Sequence, residues 1–500
     1  MLKWIIILAT VLRLFWLDKV PPSLNWDEVS MGYTAYSVSQ TGRDEWGEKL
    51  PLLFRSYGEW KSAVYIYVLV PFIKVFGLNA WAVRLPSAIA GILAVYLTYL
   101  IGRRLYSDKV GLWAAFFLAV SPWHVLLSRP AFEANVSLTL ILAGLYYFLR
   151  SSTNYDLRST ILSALFFGLA PHTYNSAKVV VPFLAIYLIW QSKLYKNLKY
   201  LLVFLGMLSL FALPLTKDLF SGRAQFRYSQ VGVSTDSFGL NEFVNLRNNQ
   251  SVPPLLAKLA FNKYTFSLHT MVSNGLSYLN PSFLLVEAGN HTQHHVPYFG
   301  VLYLAEFIFM ILGMYYLRSH SKHSLRYLPF VLIALGIVPA ALTRDLGHVL
   351  RSILTLPGWQ LLAAIGVVEL QNMKYKYLKF AYALLLLQIV VFLIAYFAWY
   401  PKAYARDWQY GLKEAAAYVK EHESEYDHIV VSKWFGETQL FLAFYNQWDP
   451  TWYMQENKHN LEYERQGKLW LDQLEEYSLG KYTFKYIKYG EPESGKTLYV

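Results

Sequence analysis

The chain has 500 residues, of which 55% are hydrophobic and only 16% charged. Soluble domains run at about 45–50% apolar and about 25% charged, so a single soluble core is excluded as the organising principle. Lys and Arg number 45 against 33 Asp and Glu, a balance of +12, and there is no Cys, which rules out disulfides, thiolate nucleophiles and Cys-ligated metals. The 40 Tyr and 16 Trp suit a chain with much surface at membrane-water boundaries, where amphipathic rings collect.

Crossing a hydrocarbon core of about 30 Å takes about 20 apolar residues in a helix. Runs of that kind predict about eleven spans: 3–17, 81–101, 110–127, 133–149, 159–173, 177–190, 198–216, 298–317, 327–342, 350–370 and 378–399. The stretch 63–78 is also apolar, but Pro71, Lys74 and Gly77 interrupt it and predict a helix pair lying at the interface. The expected fold class is therefore mainly α, a polytopic transmembrane bundle over 1–400. Basic residues alternate between loops. Arg103, Arg104 and Lys109, then Arg150 and Arg158, then Lys193, Lys196 and Lys199, then Arg318, Lys322 and Arg326, then Lys374, Lys376 and Lys379 share one face if Lys3 starts inside. By the positive-inside rule this predicts a multi-pass plasma (inner) membrane protein with a cytoplasmic N-terminus. The positive balance is then a matter of topology, and nucleic acid is not implied. Trp16-Leu17-Asp18-Lys19 lacks small residues for cleavage, so the first span reads as an uncleaved anchor.

Three regions on the outer side are too long to be connectors: 18–80, 217–297 and 401–500. In the last, a helix over 407–421, a strand at 428–431, a helix over 439–445 and a strand over 482–489 predict a small extracytoplasmic α/β domain. No internal repeat is visible, which weighs against a transporter built from symmetric halves.

Candidate chemistry starts at Asn25-Trp26-Asp27-Glu28. Adjacent residues on a helix point about 100° apart, so Asp27 and Glu28 cannot both face one ligand; one acts while the other orients it or pairs with a cation. The bland alternative is a solvated acidic pair at a helix N-terminus. Gly58-Glu59-Trp60-Lys61, followed by Tyr65, places a cation among aromatics, either for a lipid phosphate or simply reaching the interface. Ser128-Arg129-Pro130 leads to Glu133 and Asn135 at the opening of an apolar run. Tyr174 and Lys178 occupy another short outer loop, and His348 and Arg351 a third. Outer loops poor in charge that still keep Arg129, Lys178, His348 and Arg351 point to an anionic ligand; pairing with Asp345 or helix-end carbonyls is the structural alternative. His291, His294 and His295 lack a companion carboxylate motif and read as a polar loop end, with no metal assigned. No phosphate-binding Gly loop, nucleophile elbow or paired aspartates for a nucleotide sugar are present.

With these residues in view, the sequence resembles the membrane glycosyltransferases of the GT-C superfamily, in particular glycosyltransferase family 39, with the protein O-mannosyltransferases and the aminoarabinose transferases of lipid A. The resemblance rests on the order of Asp27-Glu28, Lys61-x-x-x-Tyr65, Val83-Arg84-Leu85-Pro86-Ser87, Ser121-Pro122-Trp123-His124, Ser128-Arg129-Pro130 with Glu133, Phe299-Gly300-Val301-Leu302-Tyr303, and His348-x-x-Arg351 ahead of Leu356-Pro357. It implies an inverting enzyme that moves one sugar from a polyprenyl-phosphate donor to a lipid, glycan or protein acceptor on the outer membrane face. It further implies Asp27 as general base with Glu28 supporting it, Glu133 as the second acidic position, and Lys61, Arg129, Lys178 and Arg351 as holders of the donor phosphate, with Tyr65, Tyr174 and His348 nearby. Relatives read Lys-Pro-Pro-Leu-Tyr where this chain has Lys61-Ser62-Ala63-Val64-Tyr65, and Trp60 stands where some carry a carboxylate. A divalent metal as cofactor therefore has no motif behind it. The alternatives are a transporter or flippase, which would want ionisable residues near the bilayer midplane, and a polymerase or ligase of lipid-linked saccharides.

Overall fold

The computed structural model describes residues 1–56, 58–154, 156–220, 228–248, 253–320, 323–487 and 495–500. Lys322, the end of the strand expected to reach Tyr489, and parts of the 217–297 loop lie outside the described residues. The fold is mainly helical with a small sheet. Among the described residues four helices are long and apolar enough to cross a membrane: Ala80–Leu105, Leu198–Thr216, Ile353–Asn372 and Leu378–Ala403. Shorter apolar helices lie at Ala63–Phe76, Ala177–Gln191, Leu304–Leu317 and Leu328–Ala341.

The chain divides into two compact units. The first comprises 1–13, 90–128 and 134–395. Its tightest pairing is the helix Leu304–His320 against Gly358–Asn372, and glycine makes it possible. A Cβ on Gly313 would sit 1.8 Å from the Leu362 carbonyl oxygen, and one on Gly366 would sit 2.0 Å from that of Phe309. Small residues let apolar helices approach to backbone contact, where packing takes over from the hydrophobic effect. Leu361 to Val368 are buried on every side, as expected for a helix apolar all round. Arg13 in this unit donates to the carbonyls of Ala9, Leu118 and Ala119 and lies 2.7 Å from His124 Nδ1. Arginine can only donate, so Nδ1 accepts and the Nε2–H is left to donate to Asn135 Oδ1 at 3.2 Å.

The second unit comprises 14–89, 129–133 and 396–500. The first outer loop thus shares a core with the C-terminal hundred residues. Its four-stranded sheet has the order β4-β5-β3-β6, with β3 (His428–Ser432) parallel to β5 (Tyr482–Lys485) and β6 (Thr497–Tyr499), and β4 (Glu476–Leu479) antiparallel to β5. The helix Thr438–Asn446 covers the sheet and packs on α2 (Trp26–Thr41), where Gly32 leaves room for the Phe444 ring. The α2 sequence has little amphipathic pattern, and Val29 to Ala35 are all buried because α2 is enclosed rather than lying on a surface.

Three local expectations are corrected. The 63–78 stretch is one helix, α3 (Ala63–Phe76), that runs through Pro71 and stops at Gly77 with φ 76°. Proline costs one backbone bond, whereas glycine in the left-handed region ends the helix outright. The span expected over 110–127 breaks into α5 (Asp108–Val120) and α6 (Pro122–Leu127), because Ser121 accepts the His124 amide and Pro122 opens a new helix. The strand begun at Tyr482 ends at Lys485.

Candidate functional site

In the second unit the α2 N-terminus organises the acidic pair. Asn25 is the N-cap: its Oδ1 accepts the Glu28 amide at 2.9 Å, and Glu28 Oε2 accepts the Asn25 amide at 3.1 Å. This reciprocal box needs Glu at the third helical position, so it determines which of the two carboxylates turns inward. Glu28 is fully buried. Its Oε1 accepts from Arg84 Nε at 2.8 Å and from the Ala131 amide at 3.0 Å, and its Oε2 accepts from Arg84 Nη2 at 3.0 Å. Arg84, equally buried, also donates to the carbonyls of Leu17, Pro21 and Ser23. Glu28 and Arg84 are therefore a structural clamp on the chain leading into α2.

Asp27, one residue earlier and about 100° around the helix, faces the other way. Its side chain is 35% exposed and its Oδ1 lies 2.5 Å from Lys61 Nζ. Lys61 sits on β2 (Glu59–Ser62), paired with β1 (Leu53–Ser56) in a register that sets Phe54 opposite Lys61. Alternation along the strand puts Glu59 and Lys61 on one face, 4.0 Å apart, and sends Trp60 to the other, where Arg55 lies 5.5 Å from its ring centre. Burial opposes a charge on Lys61, but Asp27, Glu133 and Glu59 outweigh it and hold its pKa above the usual lysine value. Two carboxylates, Asp27 and Glu59, thus pair with one buried ammonium, and Asp27 is the more exposed of the two.

The other expected residues are placed as follows. Tyr65 is buried and donates to the Val83 carbonyl at 3.0 Å. The Arg129 guanidinium is buried and donates to the carbonyls of Phe15, Trp16 and Val20. That is the helix-end pairing named as its structural alternative. In the first unit, Lys178 donates to Asn175 Oδ1 at 2.7 Å. Tyr174 and Ser176 reach the carbonyls of Leu350 and Arg351, so those two short loops meet. Arg351 Nη1 is held by Asp345 Oδ2 at 2.7 Å. Burial first, then His294, Arg351 and His291, push the His348 pKa well down, which keeps that imidazole neutral. Arg84 is the residue that sequence reasoning quoted without assigning a part; a lone arginine opening an apolar run, 56 residues from an Asp-Glu pair, was its signal. Glu59 was visible only through strand alternation with Lys61. Trp60 has no metal-ligating atom, and among the described residues the one group of three that could hold an ion lies elsewhere, at His291, Asp345 and His348.

A cavity of about 390 Å³ in the same unit is lined by Trp26, the residue before Asp27, and by Trp434, Trp470, Tyr486, Asp472 and Gln473, with Gln409 and Lys433 also present. Behind α2, Glu45 is buried, and burial first, then the Asp44 charge, push its pKa up to about 8. The folded state thus holds a proton that the unfolded chain gives up near the ordinary glutamate value, so stability contributed by neutral Glu45 is present below that value and drains away as pH rises toward 8. Glu45→Gln is expected to flatten the decline in melting temperature between pH 5 and pH 8; an unchanged pH profile in that variant would refute the assignment.

Residues 61–215 match the family described as dolichyl-phosphate-mannose-protein mannosyltransferase, and the GT-C resemblance read from the sequence is borne out over that stretch. An 81-residue segment is 36% identical to dolichyl-phosphooligosaccharide-protein glycotransferase 2 of Pyrococcus horikoshii, covering 16% of this chain and 10% of that protein. Among solved structures, the archaeal oligosaccharyltransferase AglB from Archaeoglobus fulgidus aligns at 13% identity and a TM-score of 0.47, over 89% of this chain and 63% of its own length. ArnT from Cupriavidus metallidurans aligns at 11% identity and a TM-score of 0.41, over 89% of this chain and 84% of its own.

Proposed function

We propose that the chain is an inverting glycosyltransferase that moves one sugar from a polyprenyl-phosphate donor to an acceptor hydroxyl on the outer face of the membrane. In this reading about eleven helices span the membrane, the N-terminus is cytoplasmic, and the C-terminal residues lie outside with the first loop. The observation that carries it is the Asp27–Lys61 pair: a half-exposed carboxylate set on a helix end, with its position held by a buried ammonium. Asp27 takes the proton of the acceptor hydroxyl as the oxygen forms its bond to the anomeric carbon. The bond from that carbon to the phosphate oxygen breaks with its electron pair, leaving polyprenyl phosphate, and attack opposite the leaving group inverts the configuration. Lys61 supplies positive charge next to the reacting groups, of the kind that stabilises negative charge developing on a departing phosphate. The aromatic cavity lined by Trp26, the residue before Asp27, suits an acceptor with sugar or other amphipathic faces. The family match over 61–215 supports the lipid-phosphate donor, and AglB and ArnT structures with dolichol-phosphate and undecaprenyl phosphate bound are consistent with it.

A donor carrying a preassembled oligosaccharide is the second reading, favoured by the 81-residue similarity to an oligosaccharide-transferring protein. The test uses membranes containing the full chain, a panel of radiolabelled polyprenyl-phosphate monosaccharides and polyprenyl-diphosphate oligosaccharides, and separated lipid, glycan and protein fractions. Label passing from a monosaccharide donor into one fraction supports the first reading and names the acceptor class. Label from oligosaccharide donors alone replaces it with the second, and no transfer from any donor overturns both.

A further inference from the structure

Away from the acidic pair, the first unit gathers two loops that the sequence keeps far apart. One carries His291, His294 and His295, and the other runs from Thr343 to Arg351. Two glycines hold their backbones together: Gly289 has φ 110° and Gly347 φ 63°, and a Cβ on Gly289 would lie 2.0 Å from the Gly347 carbonyl oxygen. Any other residue at 289 would be strained in its own backbone and would also push the loops apart. The Tyr278 hydroxyl accepts the His348 amide at 2.9 Å and fixes the turn further.

The contact places one ligand atom each from His291, Asp345 and His348 within 4.8 Å of one another. The His294 ring joins them. Ring centres are 5.0 Å apart for His291 and His348, 4.9 Å for His294 and His348, and 5.5 Å for His291 and His294. Imidazoles bound to a single tetrahedral ion at about 2.0–2.1 Å from each nitrogen have ring centres roughly 5 Å apart, a separation these rings match, and the ligand atoms, within 4.8 Å of one another, draw together onto a shared ion. The carboxylate that the histidine motif lacks in sequence is supplied by the second loop. Arg351 Nη1 holds Asp345 through Oδ2 at 2.7 Å and is itself tied to Thr343 Oγ1 at 2.8 Å. A ligating carboxylate is usually steadied by such an outer hydrogen bond on one oxygen, with the other directed to the metal. His295 is spent differently, with its Nδ1 3.0 Å from the His291 carbonyl oxygen.

We infer that His291, Asp345 and His348 form a binding site for a divalent ion of the zinc class. Two imidazoles and a carboxylate are a ligand set that zinc favours and that magnesium and calcium, which prefer oxygen, do not. His348 is buried, while His291 is exposed and the Asp345 side chain is 43% exposed, so an ion can enter from solvent. The ion ties the end of the 217–297 loop to the loop beneath it. This inference rests on the loop geometry and is independent of the glycosyltransferase reading.

The full chain, purified in detergent and stripped with a chelator, is titrated with Zn²⁺ and separately with Co²⁺, whose visible absorption reports four-coordinate binding. One Zn²⁺ per chain is expected, with a rise in melting temperature and an intense Co²⁺ band. His291→Ala, Asp345→Asn and His348→Ala are each expected to weaken Zn²⁺ binding by about 100-fold or more and to remove the Co²⁺ band. His291 is exposed, so His291→Ala reads the site without disturbing the core, and His428→Ala on the exposed start of β3 serves as the control. Absence of stoichiometric Zn²⁺ binding, or binding that survives all three substitutions or is lost in His428→Ala instead, overturns the site.

Discussion

Asp27→Asn is expected to lower sugar transfer by roughly 10²- to 10⁴-fold, the usual contribution of a positioned general base. Asparagine matches aspartate in size and still offers Lys61 an oxygen, so α2 and its cap stay in place and expression and membrane insertion should match wild type. Asn25 and Glu28 make the capping box without any atom of residue 27. The reading is transfer by equal amounts of inserted protein, and wild-type rates in the variant would remove Asp27 from the chemistry. Glu59→Gln is the informative companion. It leaves Asp27 and the short Lys61 contact untouched but weakens the field on Lys61, so a modest loss is expected where Asp27→Asn gives a large one.

The second large effect is on stability. Glu28→Ala or Arg84→Ala leaves the surviving charge buried without its partner, which costs about 3–5 kcal/mol. For a unit of this size that corresponds to a drop in melting temperature of the order of 10 °C. Arg84 contributes more than a charge, since its guanidinium also ties down the carbonyls of Leu17, Pro21 and Ser23. Arg84→Ala should therefore exceed Glu28→Ala, and protease should cut first near residues 17–25. Replacing both partners with apolar residues of similar volume, as in Glu28→Leu with Arg84→Met, should restore much of the loss, because no uncompensated charge remains. Single variants that melt with wild type would show that the clamp is not what holds this loop.

Part of this site was legible along the chain. Adjacency of Asp27 and Glu28 already required them to face different ways, because 100° of helix lies between them. Pairing with a cation was one of the two options left for the second member, and Glu28 takes it. Which cation was out of reach, because Arg84 is brought in by tertiary packing and nothing local in its own helix distinguishes it from an interface arginine. Arg129 illustrates the reverse case. Its position in a charge-poor outer loop suited an anion, yet the carbonyls of Phe15, Trp16 and Val20 take its Nε and Nη2 hydrogens, and those carbonyls lie more than a hundred residues away in sequence. The three histidines have no carboxylate near them in sequence for the same reason: Asp345, which lies with His291 and His348, belongs to another loop.

Legible along the chain were its apolar runs, most of the helices they form, a small C-terminal sheet and the acidic pair. Those depend on apolar run length, residue period and near-neighbour spacing, all of which act within a few turns. It took long-range packing to set α2 against the C-terminal residues, to make Glu28 a clamp while Asp27 stays open beside Lys61, and to bring His291 to Asp345 and His348 through two glycines. Each of these is a contact between segments far apart in the chain, made by burial and close backbone approach that no local pattern encodes.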